Sequence, residues 1–272
     1  MDSRFLQERG TQVYTGTELI LKGALEGRVS LLTGYPGSPV ADFFNVARNV
    51  RELLNEKGIL VQVANNEALG AARVNGAQME DLKALAVMKS VGAHVASDAL
   101  ALGNLSKSSH KGGALIVIGD DPWSESTQVP TDSRFLAKHL HMPVMEPATF
   151  QELKDWVSVG LDLSAKANLY MAYLVTTNLA DGGGTVTVYP NQFPVINTKR
   201  PVEIDTSSIP VDETVVLSPR TAVREATLAD RYADLIRFAR LHEVNQILYP
   251  GAPREIGFIT SGIASSYLQH AL

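Results

Sequence analysis

Cysteine is missing from all 272 residues. Within this sequence that excludes disulfides, thiol catalysis and cysteine-ligated iron–sulfur clusters, so any electron carriers must sit on another polypeptide or segment. No run of about 18 apolar residues occurs, and nothing reads as a membrane span. Met1 to Gly10 are polar and charged, without the apolar stretch of a secretory signal, so the residues read as those of a cytoplasmic protein. Excess positive charge is lacking too: Lys and Arg number 24 against 29 Asp and Glu, a net charge of −5. Nucleic acid and anionic membrane surfaces call for a basic patch and gain no support here. GxSxG and HxxxH are absent, and the six histidines form no metal-binding array.

Apolar runs alternate with helix-like stretches. Strands are expected near Val29–Thr33, Leu60–Val63, Ala84–Met88, Ala114–Gly119, Pro143–Glu146 and Tyr170–Thr176. Helices are expected over Gly16–Glu26, Ala41–Glu56, Glu67–Gln78, Ala93–Leu105, Asp132–Leu140 and Phe150–Lys166. Thr15 with Glu18, and Thr149 with Glu152, have the spacing of helix-capping pairs. Non-alternating apolar strands interleaved with helices predict an α/β fold: a mostly parallel sheet with helices on both faces. Its ligand site belongs at the carboxyl ends of the strands.

The carboxyl-terminal third reads differently. Asp181 to Gly184 is expected to be a flexible joint, and Tyr189 to Pro219, with five prolines, an irregular linker. A charged helix is expected over roughly Thr221–Glu243. The stretch Arg254 to Gly262 reads as a strand and a glycine turn, with a helix at Ser265–Ala271. One strand and one helix cannot bury their own apolar faces. Either they dock on the main domain or the sequence is cut just inside a second one; the second is preferred, giving a first domain over 1–188, linker and charged helix over 189–254, and the cut-off start of a second α/β domain over 255–272.

Four segments at strand ends can carry chemistry. Thr33 to Pro39 packs two glycines and two prolines into a tight loop presenting Ser38, which could meet a ligand or cap the next helix. Glu67 stands at a strand-to-helix junction among Ala64, Ala68, Leu69, Ala71 and Ala72. Desolvation there raises a carboxyl's pKa, and a protonated carboxyl can donate to a ring nitrogen; the alternative is a first-turn glutamate favoured by the helix dipole. Lys89 and Ser90 could meet an anionic or carbonyl group, or lie at a simple surface turn. Asp120 and Asp121 follow a buried strand, the usual place for metal or ribose ligands, but no second cluster at ligand spacing supports a metal.

Taken in order, the segments Gly34–Pro39, Asn66–Ala72 with Gly76 and Ala77, Val87–Gly92, Gly112–Gly113 through Pro122, Ser126–Gln128, Asp132–Arg134 and Pro143–Pro147 resemble one known family. The resemblance is to the N-terminal, pyrimidine-binding part of the indolepyruvate ferredoxin oxidoreductase alpha subunit. This family belongs to the thiamine diphosphate-dependent 2-oxoacid:acceptor oxidoreductases. It implies oxidative decarboxylation of a 2-oxoacid to an acyl-CoA, with electrons passing to ferredoxin or a similar iron–sulfur acceptor. It further implies that Glu67 hydrogen-bonds N1′ of the cofactor's aminopyrimidine and promotes loss of the thiazolium C2 proton. Ser38 then occupies the place of a substrate-contacting hydroxyl. Tyr35, Pro36 and Gly37 match the loop that reaches the thiazolium, and Lys89, Val91 and Gly92 the segment beside the pyrimidine. Gln128 and Arg134 fall on the substrate rim.

Departures from the family pattern bear on the assembly. The Gly-Asp-Gly motif and downstream Asn that hold Mg²⁺ are absent, as are CxxC clusters. The diphosphate-binding domain, Mg²⁺ and iron–sulfur clusters are therefore expected on a partner or a missing segment, in a dimer or larger complex. Ser38 stands where many relatives have Thr, and Glu125 where indolepyruvate enzymes often have His, which leaves the 2-oxoacid open. A split-subunit, non-oxidative 2-oxoacid decarboxylase component and a non-catalytic scaffold remain the alternatives.

Overall fold

The computed structural model describes residues 2–107, 110–195, 207, 220–248 and 256–272. Its centre is a six-stranded parallel sheet built from β2 (Leu31–Gly34), β3 (Leu60–Val63), β4 (Ala84–Lys89), β5 (Ala114–Asp120), β6 (Val144–Met145) and β7 (Met171–Thr176). The order across the sheet is β3-β2-β4-β5-β7-β6. All six expected strands are present, and the sheet is the one the apolar runs predict: β2, β4, β5 and β7 are buried almost throughout.

Alternation along these strands divides the core in two. Leu85, Val87, Leu115, Val117, Tyr173 and Val175 face α1 (Gly16–Glu26), α2 (Phe43–Asn49), α3 (Arg51–Glu56) and α8 (Phe150–Ala167). Ala84, Ala86, Ala114, Ile116 and Ala172 face α4 (Glu67–Met79), α6 (Ser97–Ser106) and α7 (Arg134–His139). The second face is rich in alanine, which lets its helices sit close to the sheet, whereas the first is filled by larger side chains. The capping expectations hold: the Thr15 N–H donates to Glu18 Oε2 at 2.9 Å, and the Glu152 N–H to Thr149 Oγ1 at 3.2 Å.

Several expectations need correction. Ala41–Glu56 is two helices broken at Val50, and Ala93–Leu105 becomes α5 (Ser90–Val95) and α6, broken at Ala96. A two-stranded antiparallel sheet was not expected: β1 (Thr11–Thr15) pairs with β8 (Gly183–Thr187), Thr11 opposite Thr187. The glycines after Asp181 are thus no flexible joint. Gly183 and Gly184 are ladder residues following the short α9 (Thr177–Asp181), and a Cβ on Gly183 would lie 2.6 Å from the Tyr14 carbonyl oxygen.

Of the expected linker, 196–206 and 208–219 lie outside the described residues. Residues 189–195 run along the core: the Tyr189 N–H donates to Glu26 Oε1 and the Gln192 N–H to the Leu25 carbonyl. The charged helix is two helices, α10 (Arg220–Ala226) and α11 (Leu228–Leu241). Arg231 fixes α11 by donating to the carbonyls of Asn104, Leu105 and Asn168, near the ends of α6 and α8. In the tail, Arg254 and Glu255 lie outside the described residues, and 256–260 form no strand. Helix α12 (Ala264–Ala271) is present; Tyr267 stacks edge-on against Trp123, and Ser261 donates to Glu146 at 2.8 Å. Among the described residues no helix is long and apolar enough to cross a membrane.

Candidate cofactor and substrate site

The connection from β2 to β3 runs through α2 and α3 on one face, and that from β3 to β4 through α4 on the other. The chain therefore changes sides between the adjacent strands β2 and β4. A crevice at their carboxyl ends is where an open α/β sheet offers a ligand site. Three of the four sequence-selected segments converge there.

At the end of β2, Gly34 adopts φ +126°, and a Cβ on it would lie 2.0 Å from the Val87 carbonyl oxygen. Only glycine permits both the backbone angle and that approach. The Tyr35 N–H donates to the Val87 carbonyl at 3.0 Å, and the Ala64 N–H to the Gly34 carbonyl at 2.8 Å. These bonds tie the loop to β4 and β3 together. Gly37 lies against the aliphatic stem of Lys89, and the Pro39 ring, after a cis Ser38–Pro39 bond, packs against Gly119. Tyr35, Pro36 and Ser38 are exposed. Ser38 caps no helix, since α2 begins only at Phe43, after Asp42.

Asn66 starts α4 by accepting the Leu69 N–H at 2.9 Å, which leaves Glu67 as the first helical residue. The Glu67 side chain turns inward rather than to solvent, and the residue is only 7% exposed. Its carboxyl lies over Gly92 of α5, where a Cβ would come within 2.2 Å of Oε1. Among the described residues nothing donates to or pairs with this carboxyl. Val91, beside it, is 42% exposed.

Beyond β5 the two aspartates serve the next loop. Asp121 accepts the backbone N–H groups of Glu125, Ser126 and Thr127, and these bonds hold its carboxyl below its usual range against the opposing effect of burial. Asp120 accepts both the N–H and the hydroxyl of Ser133. Gln128 is exposed on this loop and forms no hydrogen bond with the other site residues. Arg134 is held by Asp132 through two bonds of 2.8 and 2.9 Å and lies 3.8 Å from Glu146. The Asp132 bond raises its pKa and commits its guanidinium to a neighbour. The structure thus brings Tyr35–Gly37, Glu67, Lys89, Val91 and Gly92 together, while Gln128 and Arg134 belong to the adjoining loop. Ser133, between Asp132 and Arg134, carries no signal that spacing could single out.

The chain is 28% identical over 261 residues to indolepyruvate oxidoreductase subunit IorA of Archaeoglobus fulgidus, covering 94% of this chain and 40% of that one. It is 31% identical over 171 residues to the same subunit of Pyrococcus horikoshii, covering 63% of this chain and 26% of that one. The chain is similar to IorA.

It spans at most about two fifths of the length of these relatives. No protein-family model matches it. Among solved structures, the 2-oxoglutarate:ferredoxin oxidoreductase of Magnetococcus marinus superposes with a TM-score of 0.63 at 17% identity, covering 88% of this chain and 46% of that one. At that identity the likeness establishes the fold, a parallel α/β architecture shared with an oxidoreductase.

Proposed function

We propose that this chain supplies the pyrimidine side of a thiamine diphosphate site in a 2-oxoacid:acceptor oxidoreductase. In this reading the assembly converts a 2-oxoacid, of which indolepyruvate is the first choice, and CoA to an acyl-CoA and CO₂. Electrons pass to ferredoxin or a similar iron–sulfur acceptor. One observation carries the proposal: Glu67 is largely buried at the switch point of the sheet and has no hydrogen-bond or ion-pair partner among the described residues. A buried carboxyl without a partner is costly unless something completes it. A pyrimidine ring nitrogen would complete it, and Gly92, lacking a side chain, leaves the room that the carboxyl fills.

When bound, thiamine diphosphate supplies the carbanion-stabilising thiazolium chemistry that decarboxylation of a 2-oxoacid requires. The chain's own residues do the rest on this side. Glu67 would hydrogen-bond N1′ and hold the proton of the aminopyrimidine there. Tyr35, Pro36 and Gly37 would contact the cofactor on one side of the crevice, and Val91 and Gly92 on the other. Ser38 orients the 2-oxoacid by its hydroxyl. Lys89 adds positive charge beside the crevice, and Gln128 and Arg134 form the substrate rim, Arg134 with its charge already shared with Asp132. The diphosphate and its Mg²⁺ are assigned to a partner domain or subunit, as are the iron–sulfur clusters, since this sequence has no cysteine. Support comes from the similarity to a named oxidoreductase subunit.

The test is Glu67→Gln in the complex assembled with its partner. Turnover is expected to fall by about 100-fold or more, the scale of a lost proton-transfer group, while the thermal transition stays in place. Wild-type turnover would remove Glu67 from the mechanism.

A further inference from the structure

Two segments of the site are joined beneath the crevice by hydroxyl groups. Ser90 opens α5, directly before Val91 and Gly92, and is buried. Ser133 stands at the far end of the Asp121–Arg134 loop and is 0% exposed. Their hydroxyl oxygens are 2.8 Å apart. Ser133 also lies 2.6 Å from Asp120 Oδ1, and its N–H donates to Asp120 Oδ2 at 2.9 Å. A hydroxyl has one proton to give and a carboxylate only accepts. The Ser133 hydroxyl therefore shares its one proton between Asp120 Oδ1 and Ser90 Oγ. These contacts link the start of α5, through the loop after β5, to the end of β5.

From this geometry we infer that Ser90, Ser133 and Asp120 are positioning residues that lock the Val91–Gly92 segment to the substrate rim. The inference rests on the thiamine diphosphate reading above. None of the three groups is placed against substrate or cofactor; they act through Val91, Gly92 and Arg134. A seam assembled only for stability would equally be buried and satisfied. The distinction lies in what its removal changes: a lock between two binding segments alters how firmly each ligand is held, not only the melting temperature.

The experiment uses the complex assembled with its partner. Ser90→Ala, Ser133→Ala and the double variant are compared for the KM of thiamine diphosphate at saturating Mg²⁺, the KM of indolepyruvate, kcat and Tm. Ser90→Ala removes one buried hydrogen bond and Ser133→Ala two; each substitution breaks the link between the segments and is expected to raise both KM values by at least about fivefold. The double variant is expected to exceed the larger single effect by less than about twofold, because both break the same link. KM values within about twofold of wild type with only Tm lowered would overturn the inference, as would effects that multiply in the double variant. Should Ser133→Ala not fold, Ser90→Ala decides alone: raised KM values uphold the lock, and wild-type values reject it. Glu67→Gln is measured beside them. If it keeps wild-type turnover, the underlying functional reading fails; if it is inactive while the serine variants bind normally, only the lock fails.

Discussion

Single atoms decide much at this site. A methyl group on Gly92 would lie 2.2 Å from Glu67 Oε1, but that oxygen ends a flexible side chain. The backbone need not move; the carboxyl must. Gly92→Ala is therefore expected to leave the Tm within a few degrees, since alanine also favours the helix by about 1 kcal/mol. If Glu67 has the role proposed above, turnover of the assembled complex should nevertheless fall by about tenfold or more, the cost of misplacing such a group. Unchanged turnover, measured alongside calorimetric melting, would show that the carboxyl does not need its present place. A second residue makes stability depend on pH. Lys107 is buried at the end of α6, donates to the Gly112 carbonyl at 2.7 Å and has its pKa pushed down to about 7. Burial is the main cause, the neighbouring Arg231 adds to it, and Asp81 opposes it. Because the folded chain holds this proton less tightly than the unfolded one, the unfolded state binds more protons between about pH 7 and the ordinary lysine value near 10.4. Stability contributed by this group therefore rises with pH across that window, by at most about 1.4 kcal/mol per unit. Denaturant titrations at successive pH values should show the slope, and Lys107→Met should flatten it.

Among the elements, helix α1 ties together segments that lie far apart in the chain. Lys22 and Lys154 are both 0% exposed and share Glu26, Lys22 at 3.5 Å and Lys154 by a short bond. Lys22 also donates to the Gln7 carbonyl and to Asn191, while Glu26 accepts the Tyr189 N–H. One carboxylate thus ties the start of the chain, α8 and the irregular segment after β8. Burial lowers the pKa of Lys22, partly countered by Glu26. Glu26→Gln leaves two buried cations without their shared anion. It should cost about 3 kcal/mol in urea unfolding, the low end for such losses because Asp155 still faces Lys154. A cost below about 1 kcal/mol would mean the cluster is held by its neutral bonds. This clamp also shows why the elements were unequally legible in the sequence. The sheet strands announce themselves as runs buried on both faces, and Gly16–Glu26 is bounded by Thr15 and Glu18. The β1–β8 ladder does not, because Thr11 meets Thr187 across most of the chain and Gly183 and Gly184 locally read as a hinge. The breaks at Val50 and Ala96 carry no glycine or proline to mark them. At the site, Glu67 and the Gly34–Pro39 loop could be picked out at strand ends. The link from Ser133 to Ser90 could not, since it depends on how two distant loops fold over β5.

At the scale of the whole molecule, the distribution of charge and apolar surface bears on whether the chain can hold the cofactor by itself. Tyr35, Val91, Trp123, Val129 and Phe135 all remain exposed on the segments that follow β2, β4 and β5. This is the end of the sheet where the crevice lies, and uncovered apolar groups of this size are characteristic of surfaces that meet a partner. The crevice also has little with which to hold a diphosphate. Lys89 stands there, but Arg134 is already paired with Asp132, and the chain as a whole carries a net charge of −5. A ligand with several negative charges gains little from such a surface without a metal ion and its ligands. Isothermal titration of the isolated chain with thiamine diphosphate and Mg²⁺ is therefore expected to give a Kd weaker than about 1 mM. On the proposed complex with a diphosphate-binding partner the same titration should be tighter by orders of magnitude, because in that reading two half-sites contact one ligand. Micromolar, Mg²⁺-dependent binding to the isolated chain would mean that it contains a complete cofactor site, and the division of labour between this chain and a partner would have to be abandoned.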